Sequence, residues 1–129
     1  MCASSHPPGL QVTHLLTTHH HDDHSGGNLA FLKSTPVPCY GGSSAVPGRT
    51  HSLTDGQTFT IGDDLTVTSI DTPCHTQDSH CFYVVDNKTG ERVVFTGDTL
   101  FTAGCGRFFE GTAQEMDSAL KKLVSPILQ

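Results

Sequence analysis

The chain has 129 residues and a formal charge of −6, from 7 basic and 13 acidic side chains. That length suits one domain over residues 1–129, and the acidic balance argues against a surface built to neutralise nucleic-acid phosphates. No apolar run reaches the roughly 18 residues that a membrane span needs.

Residues 1–9 have neither a charged start nor an apolar stretch, so they do not read as a secretory signal. They also lack the Arg-rich pattern of a transit peptide. The cytoplasm is the expected compartment, with a mitochondrial location open if the N-terminus is incomplete. Residues 12–17, Val-Thr-His-Leu-Leu-Thr, are apolar and β-branched and predict a buried strand. A polar, His-rich stretch follows from Thr18 to Gly27, and Asn28 to Leu32 predict a short helix that ends near Pro36. Val37–Tyr40 reads as a short strand and Gly41–Gly56 as a loop rich in Gly, Ser and Pro.

Thr58–Ile61 and Leu65–Ile70 predict a hairpin turning at Gly62-Asp63-Asp64, and Cys81–Val85 with Arg92–Thr96 predict another. From Thr112 the pattern becomes helical, with Met116, Leu120, Leu123 and Val124 on the apolar side. Strand, helix, several strands, then helix is a mixed α/β (α+β) order. The five cysteines, Cys2, Cys39, Cys74, Cys81 and Cys105, are odd in number and irregular in spacing. They read as free thiols of a reducing compartment, with Cys105 a small packing residue in a Gly-rich turn.

Nine histidines stand out, and four of them fall in the stretch TTHHHDDHSGGN from Thr17. Its chemical content is His19-x-His21-x-Asp23-His24. In an extended segment, residues two apart face the same side. His19 and His21 can therefore share one ion while His20 points away. Asp23 and His24 lie where the chain turns into the helix and can address a second point. Gly26 and Gly27 permit the turn. Two strand exits add candidates. His75 follows Asp71-Thr72-Pro73-Cys74, and Asp98 lies in Phe95-Thr96-Gly97-Asp98-Thr99. His75 suits a third ligand to the first ion. Asp98 suits a bridge, because a carboxylate can give one oxygen to each of two metals. His80, at the start of the next strand, reads as a packed or surface histidine, as do His14 and His51.

The order of these motifs resembles the metallo-β-lactamase superfamily. FTGDTLFTAGCGRFFEGT, from Phe95 to Thr112, resembles its glyoxalase II branch, the hydroxyacylglutathione hydrolases. The resemblance implies an αββα sandwich, here incomplete, with a site for two divalent metal ions, zinc first and iron or manganese as alternatives. It implies hydrolysis of S-lactoylglutathione to lactate and glutathione by a hydroxide between the ions, the substrate being a small-molecule glutathione thioester and the protein a monomer. Carried over by residue, His19, His21 and His75 match the first metal's ligands, Asp23 and His24 the second's, and Asp98 the bridge. Asp23 and Asp98 are then the catalytic carboxylates.

Arg107, Phe108 and Phe109 fall where the family contacts glutathione. Relatives often carry Lys and Tyr at positions 107 and 109, so Phe109 lacks a phenol hydroxyl. Asp22 replaces a residue that is often aromatic. The family also has strands before Met1, and beyond Gln129 a further ligand histidine and a helical substrate-binding region. The chain is therefore expected to be an internal piece of a longer enzyme. Two alternatives accompany this reading: a mono-iron persulfide dioxygenase-like relative, and a truncated metal-binding protein with little activity.

Overall fold

The computed structural model describes residues 9–127. Three short strands, β1 (Leu15–Leu16), β2 (Cys39–Gly41) and β3 (His51–Ser52), form a parallel sheet in that order. Four longer ones, β4 (Thr58–Ile61), β5 (Leu65–Asp71), β6 (His80–Asp86) and β7 (Arg92–Phe95), form an antiparallel meander. Helices α1 (Asp22–Ser25) and α2 (Asn28–Ser34) lie between β1 and β2, and α3 (Ala113–Ile127) follows the meander.

The two-residue period of the strands sorts side chains into layers. On β5 and β6, Val67, Phe82 and Val84 face Leu53, Leu16 and Tyr40 of the parallel-sheet half, and this is the core between the sheets. Ile70 and Cys81 point the other way and pack on Leu123 of α3. Burying a side chain such as Phe82 contributes about 1.5–3 kcal/mol. The opposite face of the parallel sheet carries Thr17 and Cys39. There the buried Asn28 amide of α2 reaches Thr17 Oγ1 at 3.0 Å, the Cys39 sulfur at 3.8 Å and the Pro47 carbonyl at 3.1 Å. The layers thus run α2, parallel sheet, antiparallel sheet, α3.

Both predicted hairpins form, with Ile61 opposite Leu65 and Val85 opposite Arg92. The first strand is shorter than the sequence suggests. Only Leu15 and Leu16 join a ladder, because β2 offers them just two partners. The loop expected over Gly41–Gly56 contains β3, which is too short to show a period. At α3, the Thr112 amide donates to Glu115 Oε2 at 2.7 Å and the Glu115 amide to Thr112 Oγ1 at 3.2 Å, a reciprocal cap of the first turn. Met116, Ala119 and Leu123 are buried, whereas Val124 faces outward. Cys39, Cys74 and Cys81 are buried free thiols, but Cys105 is exposed rather than packed, and Cys2 lies outside the described residues. Among the described residues no helix is long and apolar enough to cross a membrane.

Candidate metal centre

The candidate ligands converge where strand exits from both sheets meet. After β1 the chain runs through His19 to His21, whose carbonyl accepts the His24 and Ser25 amides at 3.0 and 2.8 Å. That single turn of α1 swings His24 back toward His19, with ring centroids 4.2 Å apart. His75 arrives from the exit of β5 and Asp98 from the exit of β7, and the buried Thr72 and Thr99 hydroxyls, 3.0 Å apart, tie these two exits together. Two glycines allow the close approach. Gly97 has φ +49°, and a Cβ there would meet Thr18 Oγ1 at 2.7 Å. A Cβ on Gly106 would fall on the Asp98 carbonyl oxygen.

Two donor groups result, His19–His21–His75 and His19–His24–Asp98, with ligand atoms within 4.8 Å of one another in each. Asp98 faces both, its Oδ1 lying 3.1 Å from His24 Nε2 and its Oδ2 3.2 Å from His75 Nε2. His21 Nδ1 lies 3.0 Å from His75 Nε2. An ion with bonds of about 2.0–2.1 Å sets its ligand atoms roughly 2.9–3.4 Å apart, so these spacings match the edges of a coordination shell.

The protonation pattern points the same way. His75 Nδ1 lies 2.8 Å from the Arg107 carbonyl, which can only accept. Nδ1 therefore carries a proton, and Nε2 turns toward both Asp98 Oδ2 and His21 Nδ1. His19 is fully buried, and among the described residues its Nε2 has no hydrogen-bond partner. A buried imidazole nitrogen in that condition needs an explanation, and a metal supplies one. Burial first, then the like charges of His24, His75 and His21, push the His19 pKa from 6.5 to about 4 against the pull of Asp98. His19 thus stays a neutral donor well into acid. Thr18 Oγ1, 3.1 Å from His19 Nδ1, orients the ring.

Asp23 is in neither triad but borders the second one. Its side chain is 78% exposed and comes nearest at 3.4 Å, from Oδ2 to His24 Nε2. Phe109 places its ring edge-on to His75 and His21, with centroids 5.2 and 5.6 Å apart, and the Arg107 guanidinium lies over the Phe109 ring at 5.1 Å. Phe108 is exposed beside them. His80 stays out of the site, buried with Nδ1 2.9 Å from Ser69 Oγ, and His14 and His51 stack on Tyr40. Sequence reasoning missed the Arg107 carbonyl, because a main-chain acceptor leaves no mark in a motif. It also missed Asp78, which holds His20 and belongs to no pattern.

Residues 3–126 match the metallo-beta-lactamase superfamily. The chain belongs to that superfamily. It is 54% identical over 119 residues to a probable hydroxyacylglutathione hydrolase of Schizosaccharomyces pombe, covering 92% of this chain and 45% of that protein. It is 50% identical to the mitochondrial hydroxyacylglutathione hydrolase of Saccharomyces cerevisiae, covering 85% of this chain and 41% of that protein. The chain thus spans less than half the length of these relatives. Among solved structures, a metallo-beta-lactamase from Staphylococcus aureus superposes with a TM-score of 0.76 at 25% identity, over 91% of this chain and 38% of that one. Superfamily membership and the two histidine-rich triads together imply divalent metal ions, and the donors fit them.

Proposed function

We propose that this chain carries the metal-binding part of a glutathione thioester hydrolase, converting S-lactoylglutathione and water to lactate and glutathione. The observation that carries the reading is Asp98 presenting one oxygen to each of two triads, beside a buried His19 nitrogen with no hydrogen-bond partner among the described residues. The names of the relatives at 50–54% identity supply the substrate class.

In this reading His19, His21 and His75 would hold one ion, and Asp23, His24 and Asp98 would hold a second. Imidazole and carboxylate donors suit zinc, with iron and manganese accepted by the same set. Bound there, the ions would acidify a water and polarise the thioester carbonyl. His75, fixed by the Arg107 carbonyl, keeps its Nε2 lone pair directed into the centre. Asp98, between the triads, accepts hydrogen bonds from the attacking water and orients it. The exposed Asp23 carboxylate would take the proton that water releases. Arg107 and Phe109, with Phe108 beside them, form the wall at which the peptide part of the substrate docks. The leaving group is a thiolate and needs no side-chain acid.

The test is metal analysis combined with hydrolysis of S-lactoylglutathione by the full chain. Bound zinc with thioester cleavage, both lost in His21→Ala, is the expected result. Full metal content in His21→Ala would refute the ligand set, and oxygen uptake with glutathione persulfide in place of cleavage would refute the reaction.

A further inference from the structure

Asp78 lies three residues beyond His75 and belongs to neither triad. Its side chain is only 6% exposed, yet its carboxylate collects three donors. His20 Nδ1 donates to Oδ1 at 2.8 Å, Thr76 Oγ1 donates to the same oxygen at 2.8 Å, and Ser43 Oγ donates to Oδ2 at 2.7 Å. Burial alone would raise the pKa of this carboxyl, but the hydrogen bonds from His20, Ser43 and Thr76 outweigh it and hold the group below the usual carboxylate range. A carboxylate accepts only, so His20 bears its proton on Nδ1.

The donors matter for where they sit in the chain. His20 separates His19 from His21, and Thr76 follows His75. One buried anion therefore grips both segments that supply the three imidazoles of the first triad. Ser43, from the loop after β2, holds the anion from the other side. Charge-assisted hydrogen bonds of this length are about twice as strong as neutral ones. Glu110 adds a weaker tie in the same place, accepting the Gln77 amide on Oε2 at 2.6 Å with Oε1 3.8 Å from His20 Nε2. His20 itself is in neither donor group.

We propose that Asp78 is a positioning residue for the metal centre: acting through His20 and Thr76, it fixes the His19–His21 segment against His75 and so sets the affinity of that triad for a divalent ion. The proposal rests on the metal-dependent reading above.

Zinc affinity of the full chain, measured by competition with a chromophoric chelator, tests it. Asp78→Ala and His20→Ala should each weaken zinc binding by about 10–100-fold, as lost outer supports of ligands do. The double variant should be no weaker than the poorer single one, because both changes break the same link. Asp78→Asn keeps an oxygen for His20 and Thr76 and should bind within about threefold of the parent, a rescue that loss of folding would not give. His20 is partly exposed, and Asp78 keeps Thr76 and Ser43 as donors without it, so His20→Ala should still fold, melting below the parent temperature without metal. It keeps the test valid if Asp78→Ala does not fold. Parent-like zinc affinity in His20→Ala, or a loss in Asp78→Asn as large as in Asp78→Ala, would overturn the proposal. Absence of zinc binding by the parent chain would instead overturn the metal-centre reading.

Discussion

A neutral imidazole has one nitrogen lone pair to offer, and His19 is common to both triads. It cannot ligate two ions at once, so in the proposed arrangement the second ion would rely on His24, Asp98 and Asp23. Calorimetric titration should show one tight zinc and a second weaker by at least roughly tenfold, the scale of a lost support around a ligand; two equal sites would contradict this sharing. His80 gives a second expectation. Burial lowers its pKa from 6.5, against Asp71, Asp55 and Asp78, which raise it, while Lys122 also lowers it. Unfolded, His80 takes a proton near pH 6.5; folded, it resists until lower pH. Its neutral burial therefore supports the fold fully above about pH 6.5 and progressively less as the pH falls toward the depressed value. In metal-free protein, His80→Gln should flatten the fall of melting temperature with acid, and an unchanged slope would remove His80 as its cause.

The hairpins and α3 were legible because each repeats its period over several residues: Thr-Phe-Thr-Ile and Leu-Thr-Val-Thr alternate, and Met116 and Leu123 recur at helical spacing. Of the parallel sheet, β1 and β2 were legible as strands over 12–17 and 37–40, but β3 was not, since it holds two residues and pairing with β2 alone defines it. Val124 misled for a related reason. The apolar stripe of α3 runs through Ala119, so a small residue is inside while a larger one is out. That difference is measurable. Leu123→Ala opens a cavity against Ile70 and Cys81 and should cost about 2–5 kcal/mol in urea unfolding. Val124→Ala should stay within about 0.5 kcal/mol, as surface changes do. Comparable losses at the two positions would mean that α3 is rotated from this packing.

Taken whole, the molecule joins two sheets with different pairing rules, and the sequence marked the chemistry at their junction better than the junction itself. His-x-His-x-Asp-His announces a metal because few other uses require four such donors so close together. Asp78, Thr18 and the Arg107 carbonyl support those donors with ordinary residue types and left no signature. The junction also has a mechanical meaning. His19 and His21 leave the parallel sheet, whereas His75 and Asp98 leave the antiparallel one. The main chain crosses between them through the His80 amide, 2.8 Å from the Thr18 carbonyl. An ion there acts as a rivet through two plates. Opening the protein along this seam would require breaking coordinate bonds as well as separating an apolar core, so loading should slow that opening far more than fraying of α3. Amide hydrogen exchange makes the distinction: with zinc, protection should rise at His80, while the last turn of α3 exchanges as before.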